Sequence, residues 1–379
     1  MKNLCIYILI ATTCLFYSCE NIEDEYMYGK GLYPIHWNEV ADSSSVTLQN
    51  RFWNPTAHYF NNGSDESSLS WGYWPQAHAM DVLIDAFIRT KDSNYSALFD
   101  QWYTGIKQKN GNRYWNEFND DMEWIALTML RLYEVTDDTK YLETAQELWG
   151  YINAQWNDEY AFGGIAWKND QPWSKNACSN GPASILASRL YKITKNEDDK
   201  KRAIEIYEWE KEHLFNMATG AVYDNINGQT GEIGKFSLSY NQGTFIGAAH
   251  ELYKLTNDKT YLNDARKAAN FCISNSSMID TGNNVLRDEG NGDGALFKGI
   301  FMRYFVELIL EKDLDPIYKK KFYTFFNNNA EVLWRRGVRK NDILFNSNWT
   351  SAPGLSTELN AQVSGCTLIE ARAYYERMK

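Results

Sequence analysis

The chain has 379 residues, enough for one large domain or two ordinary ones. Its formal net charge of −11 repels phosphate backbones and it has no basic cluster, which excludes nucleic acid as a partner. Charged residues (23%) and hydrophobic residues (44%) are balanced as in globular proteins, but aromatic residues reach 15%. Part of this aromatic excess is expected in the core, and exposed Trp and Tyr offer flat faces that stack on sugar rings.

The first predicted element is a targeting segment. A positive start at Lys2 precedes an apolar run, Leu4–Leu15, that is too short for a permanent membrane anchor. The run ends in Leu15–Cys19, which resembles the lipobox of bacterial lipoproteins; an ordinary signal peptide followed by a chance cysteine is the alternative. The resemblance implies that residues 1–18 are removed as a signal peptide and that Cys19 is lipidated.

An acidic stretch follows the lipobox. Glu20–Glu25 resembles the surface-export signal of Bacteroidetes lipoproteins, so we expect an outer-membrane lipoprotein on the cell surface, attached to the membrane only through its N-terminal lipid. Residues 19–40 are predicted to be a lipidated tether. Residues 41–379 are predicted to be one folded domain, because no Pro-, Gly- or Ser-rich linker divides them.

A helical repeat runs through this domain. The pattern Leu-Tyr-x-x-Thr occurs at Leu132–Thr136, Leu190–Thr194 and Leu252–Thr256, each time before a polar turn and a second helix. The repeat predicts about twelve helices, paired as six hairpins, between residues 44 and 379.

Helical hairpins stack as an open solenoid or close into a ring. Open repeats usually have short loops, whereas the loops at residues 160–173 and 221–239 are long and rich in Gly, Asn and aromatic residues. The sequence therefore predicts an all-α (α/α)6 barrel, in which the first helix of each hairpin lines the inside and the loops at one rim form a groove. An open solenoid that binds a protein is the alternative.

Three cysteines lie in the domain, Cys178, Cys272 and Cys366, each within a helical pattern. They are predicted to be small buried residues rather than disulfide partners. No pair of cysteines or histidines has metal-ligand spacing, so we expect no metal and no cofactor.

Adjacent carboxylates, Asp120 and Asp121, begin one predicted helix. On spacing alone the simpler interpretation is capping, because Asn119 or Asp120 fits the N-cap position and acidic side chains suit the positive end of a helix dipole. The alternative is catalysis. Glycoside hydrolysis requires two carboxyl groups beside the scissile bond, and two close carboxyls cannot ionise independently, so one serves as acid and the other as base or nucleophile.

The run Asn119–Leu127 resembles the signature of glycoside hydrolase family 76, the endo-α-1,6-mannanases. Four further segments resemble that family in the same order, so that the resemblance covers nearly the whole mature chain. These segments are Gly163–Trp167, Lys175–Gly181, Tyr240–Gly243 and Phe297–Tyr304. Cys178 stands where an apolar residue such as Ile is expected, and we expect this departure to leave the chemistry unaffected.

The resemblance implies an (α/α)6 barrel and a retaining mechanism on α-1,6-mannan, without a metal. It assigns Asp120 as the nucleophile and Asp121 as the general acid/base, an order that rests on the family alone. The implied partner is α-mannan, and we expect a monomer. The rivals are another toroid enzyme (an inverting hydrolase or a lyase), a non-catalytic glycan-binding surface lipoprotein with the same toroid fold, and a protein-binding helical repeat.

Eight further residues are candidates for substrate binding: Trp74, Gln76, Trp124, Trp167, Asn180, Tyr240, Asn241 and Gln242. For the aromatic residues the alternative is packing, and for the polar ones it is hydrogen bonding within the protein. Lys298 and Arg303 are expected either to pair with buried carboxylates or to touch substrate. The acidic cluster Asp288–Asp293 fits a solvated turn better than a calcium loop.

Overall fold

The computed structural model describes residues 34–65 and 71–379, in which twelve long helices form two concentric layers. The six inner helices are α2 (Tyr73–Thr90), α5 (Asn119–Thr136), α7 (Ala177–Thr194), α9 (Ser239–Thr256), α11 (Asp293–Leu310) and α13 (Leu359–Met378). The six outer helices are α1 (Trp37–Phe52), α4 (Phe99–Lys109), α6 (Thr139–Asn153), α8 (Glu197–His213), α10 (Lys259–Cys272) and α12 (Pro316–Arg335). A single turn, α3 (Ser93–Ser96), precedes α4.

The inner helices close into a ring. Each packs against the next, and α13 packs against α2, so the prediction of an (α/α)6 barrel is confirmed. Five hairpins place their first helix inside, as expected. The sixth pair joins the two ends of the chain, with α13 inside and α1 outside it. Because α1 begins at Trp37, the domain start predicted at residue 41 falls inside this helix.

A buried ion pair joins the helices at this closure. The Arg89 guanidinium of α2 donates two hydrogen bonds of 2.9 Å to the Glu370 carboxylate of α13. Ser45 of α1 donates to the same carboxylate at 2.7 Å. The side chains of Arg89 and Glu370 are 4% and 2% exposed, so the pair is shielded from water.

The Leu-Tyr-x-x-Thr repeat forms the turn between an inner and an outer helix. The Thr136 hydroxyl donates to the Leu132 carbonyl at 2.7 Å and accepts from the Asp138 N–H at 3.2 Å. Asp137 between them has a φ of 58°, and the Asp138 side chain caps the following helix. The turns at Thr90, Thr194 and Thr256 repeat this geometry, which explains why the repeat predicts hairpins.

Short β-strands that the sequence did not predict occupy the loops at one rim, which we call the catalytic rim. The largest sheet is antiparallel and has the order β3 (Ala166–Lys168), β4 (Gln171–Asn176), β5 (Asn225–Asn227), β6 (Ile233–Gly234). Three two-stranded hairpins complete the set: β1 (Trp53–Asn54) with β2 (Tyr59–Phe60), β7 (Ile279–Asp280) with β8 (Val285–Leu286), and β9 (Val338–Arg339) with β10 (Leu344–Phe345).

The other end of the ring encloses a cavity of about 440 Å³ lined by charged side chains. Arg131 pairs with Asp81 at 2.8 Å, and Arg303 pairs with Asp85 at 3.0 Å. Of the two roles expected for Arg303, pairing with carboxylates is therefore the observed one.

Within the described ranges, no helix is both long and apolar enough to cross a bilayer. The predicted signal peptide, residues 1–18, and the predicted lipidation site, Cys19, lie outside the described residues.

Candidate active site

Asp120 and Asp121 lie in the first turn of α5, at the catalytic rim. Both residues are partly exposed, and within residues 34–65 and 71–379 neither has an ion-pair partner. Neither caps the helix, because the N-cap residue is Phe118 and no side chain hydrogen-bonds there. Asn119 instead donates to the Ala166 carbonyl at 2.8 Å. Capping therefore does not account for the pair.

The two carboxyl groups have different surroundings. Burial raises the pKa of Asp120 to about 6, while the nearby Cys178 and Trp167 side chains act in the opposite direction. Asp120 Oδ1 is buried and has no hydrogen-bond partner among the described residues. Burial also raises the pKa of Asp121 well above its usual value, and the negative charges of Asp120, Asp293 and Glu117 raise it further. Because neighbouring carboxyls titrate as a pair, one proton is retained over a range of pH, and these surroundings favour its residence on Asp121.

Half-exposed aromatic rings lie beside the pair. The Trp167 ring lies 4.9 Å from the ring of Phe118, the residue that precedes α5. Tyr240 stacks on Phe297 with ring centroids 4.0 Å apart and an interplanar angle of 13°. Burial raises the pKa of Tyr240 well above its usual value, and the charge of Asp120 raises it further, so this stack lies near the carboxylates. Flat, partly exposed faces next to carboxylates are suited to a sugar ring.

Trp74 reaches the same rim through an acidic residue. Its indole N–H donates to Asp293 Oδ1 at 3.2 Å, and Asp293 is one of the charges that raise the pKa of Asp121. Below Trp74, the ring of His78 packs 4.7 Å from the ring of Trp124. Trp124 is only 3% exposed. Its predicted substrate contact is therefore corrected: it is a core residue beneath the site.

Two predicted substrate-binding amides are used inside the protein. The buried Gln76 side chain accepts from the Phe60 N–H at 2.8 Å and donates to the Phe60 carbonyl at 2.9 Å. Asn180 makes the same two bonds to Ile165, at 2.8 and 3.1 Å. Both amides hold a rim loop onto an inner helix, and both are fully buried. Neither is free to contact a sugar, which corrects the prediction.

The same arrangement recurs at two more helices. The buried Gln242 amide faces the backbone of Val222, and the Gln362 amide bonds to the backbones of Phe345 and Ile343 at 3.0 and 3.1 Å. Gln76, Asn180, Gln242 and Gln362 are each the fourth residue of an inner helix. A buried amide at this position is therefore a repeated structural clamp, so Gln242 is likewise not a substrate contact.

Asn241 is also used inside the protein. It is fully buried and donates to the Asp224 carboxylate at 2.8 Å. Of the eight predicted substrate-binding residues, the structure brings Trp74, Trp167 and Tyr240 to the catalytic rim as half-exposed side chains.

The remaining charged candidates have structural contacts. Lys298 is fully buried, donates to the Ser347 carbonyl and lies 4.9 Å above the Trp349 ring. Among the described residues it forms no ion pair with a carboxylate. Glu289 accepts from the Ser239 N–H at 2.9 Å, at the start of α9. The acidic cluster is thus only partly a solvated turn. The described ranges hold no group of three or more His, Cys, Asp or Glu side chains placed to bind a metal.

The three cysteines are buried and free, which confirms that prediction. Cys178 lies close enough to the pair to act on the pKa of Asp120, which it lowers, while its thiol is within hydrogen-bonding distance of the Ser179 hydroxyl, at 3.9 Å. The expectation that residue 178 leaves the chemistry unaffected stays a prediction.

Comparison with known proteins assigns the family. The sequence profile of glycosyl hydrolase family 76 matches residues 36–379. The chain belongs to glycosyl hydrolase family 76.

Solved family 76 structures resemble this fold closely. The GH76A α-1,6-mannanase from Salegentibacter sp. HEL1_6 is 41% identical, with a TM-score of 0.85 over 89% of this chain and 99% of that one. A second structure of that enzyme is an inactive variant with two consecutive aspartates changed to alanine, in complex with α-1,6-mannotetrose. It is 40% identical, with a TM-score of 0.86 over 90% and 100% of the two chains.

A more distant match is the mannan endo-1,6-alpha-mannosidase DCW1 of Candida glabrata, 25% identical over 285 residues. The match covers 68% of this chain and 62% of that relative's length.

Sequence reasoning missed three residues of this family 76 site: Cys178, Asp293 and Phe297. Phe297 is the first residue of a segment that resembles the family. Asp293 begins one inner helix, and Trp74, a predicted site residue, is the second residue of another. That shared position at the rim end was a usable signal. The sequence held no signal for the proximity of Cys178 to Asp120, because that proximity depends on how α7 packs against α5.

Proposed function

We propose that this chain is a retaining endo-α-1,6-mannanase that cleaves the backbone of α-1,6-mannan. The observation that carries the proposal is the asymmetry of the carboxyl pair. Burial alone raises the pKa of Asp120, to about 6, whereas the negative charges of Asp120, Asp293 and Glu117 add to burial in raising the pKa of Asp121 well above its ordinary value. The environment thus favours an ionised Asp120 and a protonated Asp121, which is the division of roles that retaining hydrolysis requires.

In the first step the Asp120 carboxylate attacks the anomeric carbon of a mannosyl unit. The bond from that carbon to the O6 of the next unit breaks as Asp121 donates its proton to O6. In the second step Asp121, now a carboxylate, takes a proton from water, and the resulting hydroxide displaces Asp120 from the sugar. Two inversions give a product of retained α configuration.

Two features of the relatives support this substrate and this pair. The Salegentibacter relative is an α-1,6-mannanase, and its inactive form replaces two consecutive aspartates. Asp120 and Asp121 have the same adjacency at the start of an inner helix. Trp74, Trp167 and Tyr240 offer half-exposed rings for the sugar units on either side of the bond.

The direct test is incubation of the purified mature chain with debranched yeast mannan, followed by sizing of the products. Endo cleavage produces a ladder of oligosaccharides. Release of mannose alone contradicts endo action, and no release contradicts hydrolysis of this substrate.

A non-catalytic glycan-binding protein with the same fold is separated from an enzyme by Asp120→Asn and Asp121→Asn. For an enzyme, Asp121→Asn lowers the rate by roughly 10²–10⁴-fold. Asp120→Asn, which removes the nucleophile, lowers the rate at least as much, and both variants still bind the oligosaccharide. A binding protein shows no hydrolysis in the wild type to lose.

We also propose that the mature protein is a monomer displayed on the outer membrane through lipidated Cys19. The lipobox-like Leu15–Cys19 and the acidic Glu20–Glu25 support this location. Radiolabelled palmitate incorporation that disappears in Cys19→Ala tests the anchor, and protease accessibility on intact cells tests the surface orientation.

A further inference from the structure

The rim sheet extends from the catalytic pair. Strand β4 runs directly into α7, and its partner β3 lies against the start of α5. There Phe118 forms a β-bridge with Lys168, and Asn119 donates to the Ala166 carbonyl at 2.8 Å. Asn176, the last residue of β4, occupies the N-cap position of α7 but makes no capping hydrogen bond. The sheet therefore begins at the carboxylates and leads away from them.

The register of this sheet places four polar side chains on one face. Ser174 is opposite Asn227, and Asn176 is opposite Asn225. Residues i and i+2 of a strand share a face, and the Ser174 hydroxyl donates to Asn176 Oδ1 at 3.0 Å on that face. We call these four residues the amide patch. It measures about 5 by 7 Å from strand spacing and rise.

The two faces of the sheet differ in burial. Lys175 and Ile226, which lie opposite each other on the other face, are 0% and 8% exposed. The Lys175 ammonium donates to the Gly164 carbonyl at 2.7 Å, which fixes that face to the loop below. All four residues of the amide patch are half-exposed. The patch is thus a supported surface that faces away from the core.

Hydrogen-bonding groups of the amide patch are left over. Within the described part of the chain, Asn176 Nδ2, Asn227 Nδ2 and Asn225 Oδ1 have no protein partner. Asn225 is oriented by its bond to Asp224 at 2.8 Å. Gly234 lies opposite Asn225, where a Cβ atom would come within 3.0 Å of the amide. Glycine at this position keeps the amide uncovered.

We infer that the amide patch binds a mannosyl unit of the α-1,6-mannan chain, outside the two units that flank the cleaved bond. The inference rests on the proposed function for the identity of the sugar. The patch carries no charge and offers both donors and acceptors, which matches neutral hydroxyl groups. A ligand bound here continues into the catalytic site through Asn176, so the occupant is the same glycan chain.

Binding at a remote subsite predicts a dependence on substrate length. Asn227→Asp is the sharpest probe, because Asn227 Oδ1 accepts from the Gln229 N–H at 2.9 Å and aspartate keeps that turn. The substitution replaces the free amide donor with a carboxylate oxygen and adds a negative charge, which the matched control also adds. We expect KM for α-1,6-mannohexaose to rise about three- to tenfold. The KM for the shortest oligosaccharide that the wild type cleaves stays unchanged. Ser174→Ala is a second variant with the same expected pattern.

The matched control is Asn275→Asp, which makes the same exchange in a similar turn, where Asn275 Oδ1 accepts from the Ser277 N–H at 2.9 Å. This control leaves both KM values unchanged. An equal rise in KM for long and short substrates in Asn227→Asp, or no change in either, overturns the amide patch as a subsite.

Calorimetry separates this inference from the proposed function. With Asp120→Asn and Asp121→Asn as the background, Asn227→Asp weakens mannohexaose binding about three- to tenfold. If the chain binds mannohexaose in this way but the wild type never cleaves it, the proposed function fails and the subsite stands. If the background chain binds no mannohexaose, the subsite fails as well.

Discussion

The indole N–H of Trp74 donates to Asp293 Oδ1 at 3.2 Å and joins the first turns of α2 and α11 across the catalytic rim. The same Asp293 raises the pKa of Asp121. One carboxylate, Asp293, thus both holds the half-exposed ring of Trp74 and affects the pKa of Asp121, the proposed acid.

Removing this charge shifts the pH profile. In Asp293→Asn the acceptor for Trp74 is retained but the negative charge is lost, so the pKa of Asp121 falls. Asp121 then loses its proton at lower pH, and the alkaline limb of kcat/KM moves to lower pH. Asp288→Asn, an exposed carboxylate in the same loop, is the control and leaves the limb in place. An unshifted alkaline limb in Asp293→Asn would show that Asp293 does not tune the acid.

Cys178 affects the other limb. Burial raises the pKa of Asp120 to about 6, and the nearby Cys178 thiol acts to lower it. In Cys178→Ala that pKa rises, so the acidic limb of kcat/KM moves to higher pH, while Cys178→Ser, which keeps a donor, moves it less. Cys272→Ala, a buried cysteine of α10, serves as the control. Identical acidic limbs in all three variants contradict the contact.

A pair of buried carboxyls behind the site contributes to the pH dependence of stability. Glu123 and Glu210 are 0% exposed, and in the described residues none of their carboxyl oxygens has a hydrogen-bond partner. Burial raises the pKa of both well above the ordinary value of 4.5, and the charges of Asp120 and Glu210 raise that of Glu123 further.

Above pH 4.5 the unfolded chain ionises these groups while the folded chain keeps their protons. Stability therefore falls as pH rises, by up to about 1.4 kcal/mol per pH unit for each group. Glu123→Gln removes one such group, so its free energy of unfolding relative to wild type improves between pH 5 and 7.5 in urea titrations. Exposed Glu159→Gln shows no such trend. A difference that is independent of pH would mean that Glu123 is ionised in the fold.

The closure of the ring depends on Arg89. Arg89→Met leaves the Glu370 carboxylate buried without its guanidinium, which costs about 3–5 kcal/mol and lowers Tm accordingly. Lys201→Met removes one partner of an exposed pair with Glu205, at 3.7 Å, and costs less than about 1 kcal/mol. Equal Tm values for the two variants contradict a closure held by this buried pair.

The ring of helical hairpins could be predicted from the sequence, because the turns at Thr136, Thr194 and Thr256 recur and depend only on local hydrogen bonds. Asp120 and Asp121 could also be singled out from the sequence, because two adjacent aspartates are visible without coordinates. Sequence reasoning misplaced Gln76, Asn180 and Gln242, since a polar residue opening an inner helix looks the same whether it clamps a rim loop or binds a ligand.

The rim sheet was missed for a different reason. Its strands are two to six residues long, too short for a period-two pattern. The role of Cys178 depends on the packing of α7 against α5, which no spacing in the sequence reports.

The most direct test of the central claim is the anomeric configuration of the first product, followed by ¹H NMR while α-1,6-mannotetraose is cleaved. A nucleophilic Asp120 with Asp121 as acid/base predicts that the α-anomer forms first and mutarotates afterwards. Initial appearance of the β-anomer would contradict a mannosyl-Asp120 intermediate and the roles assigned to the pair.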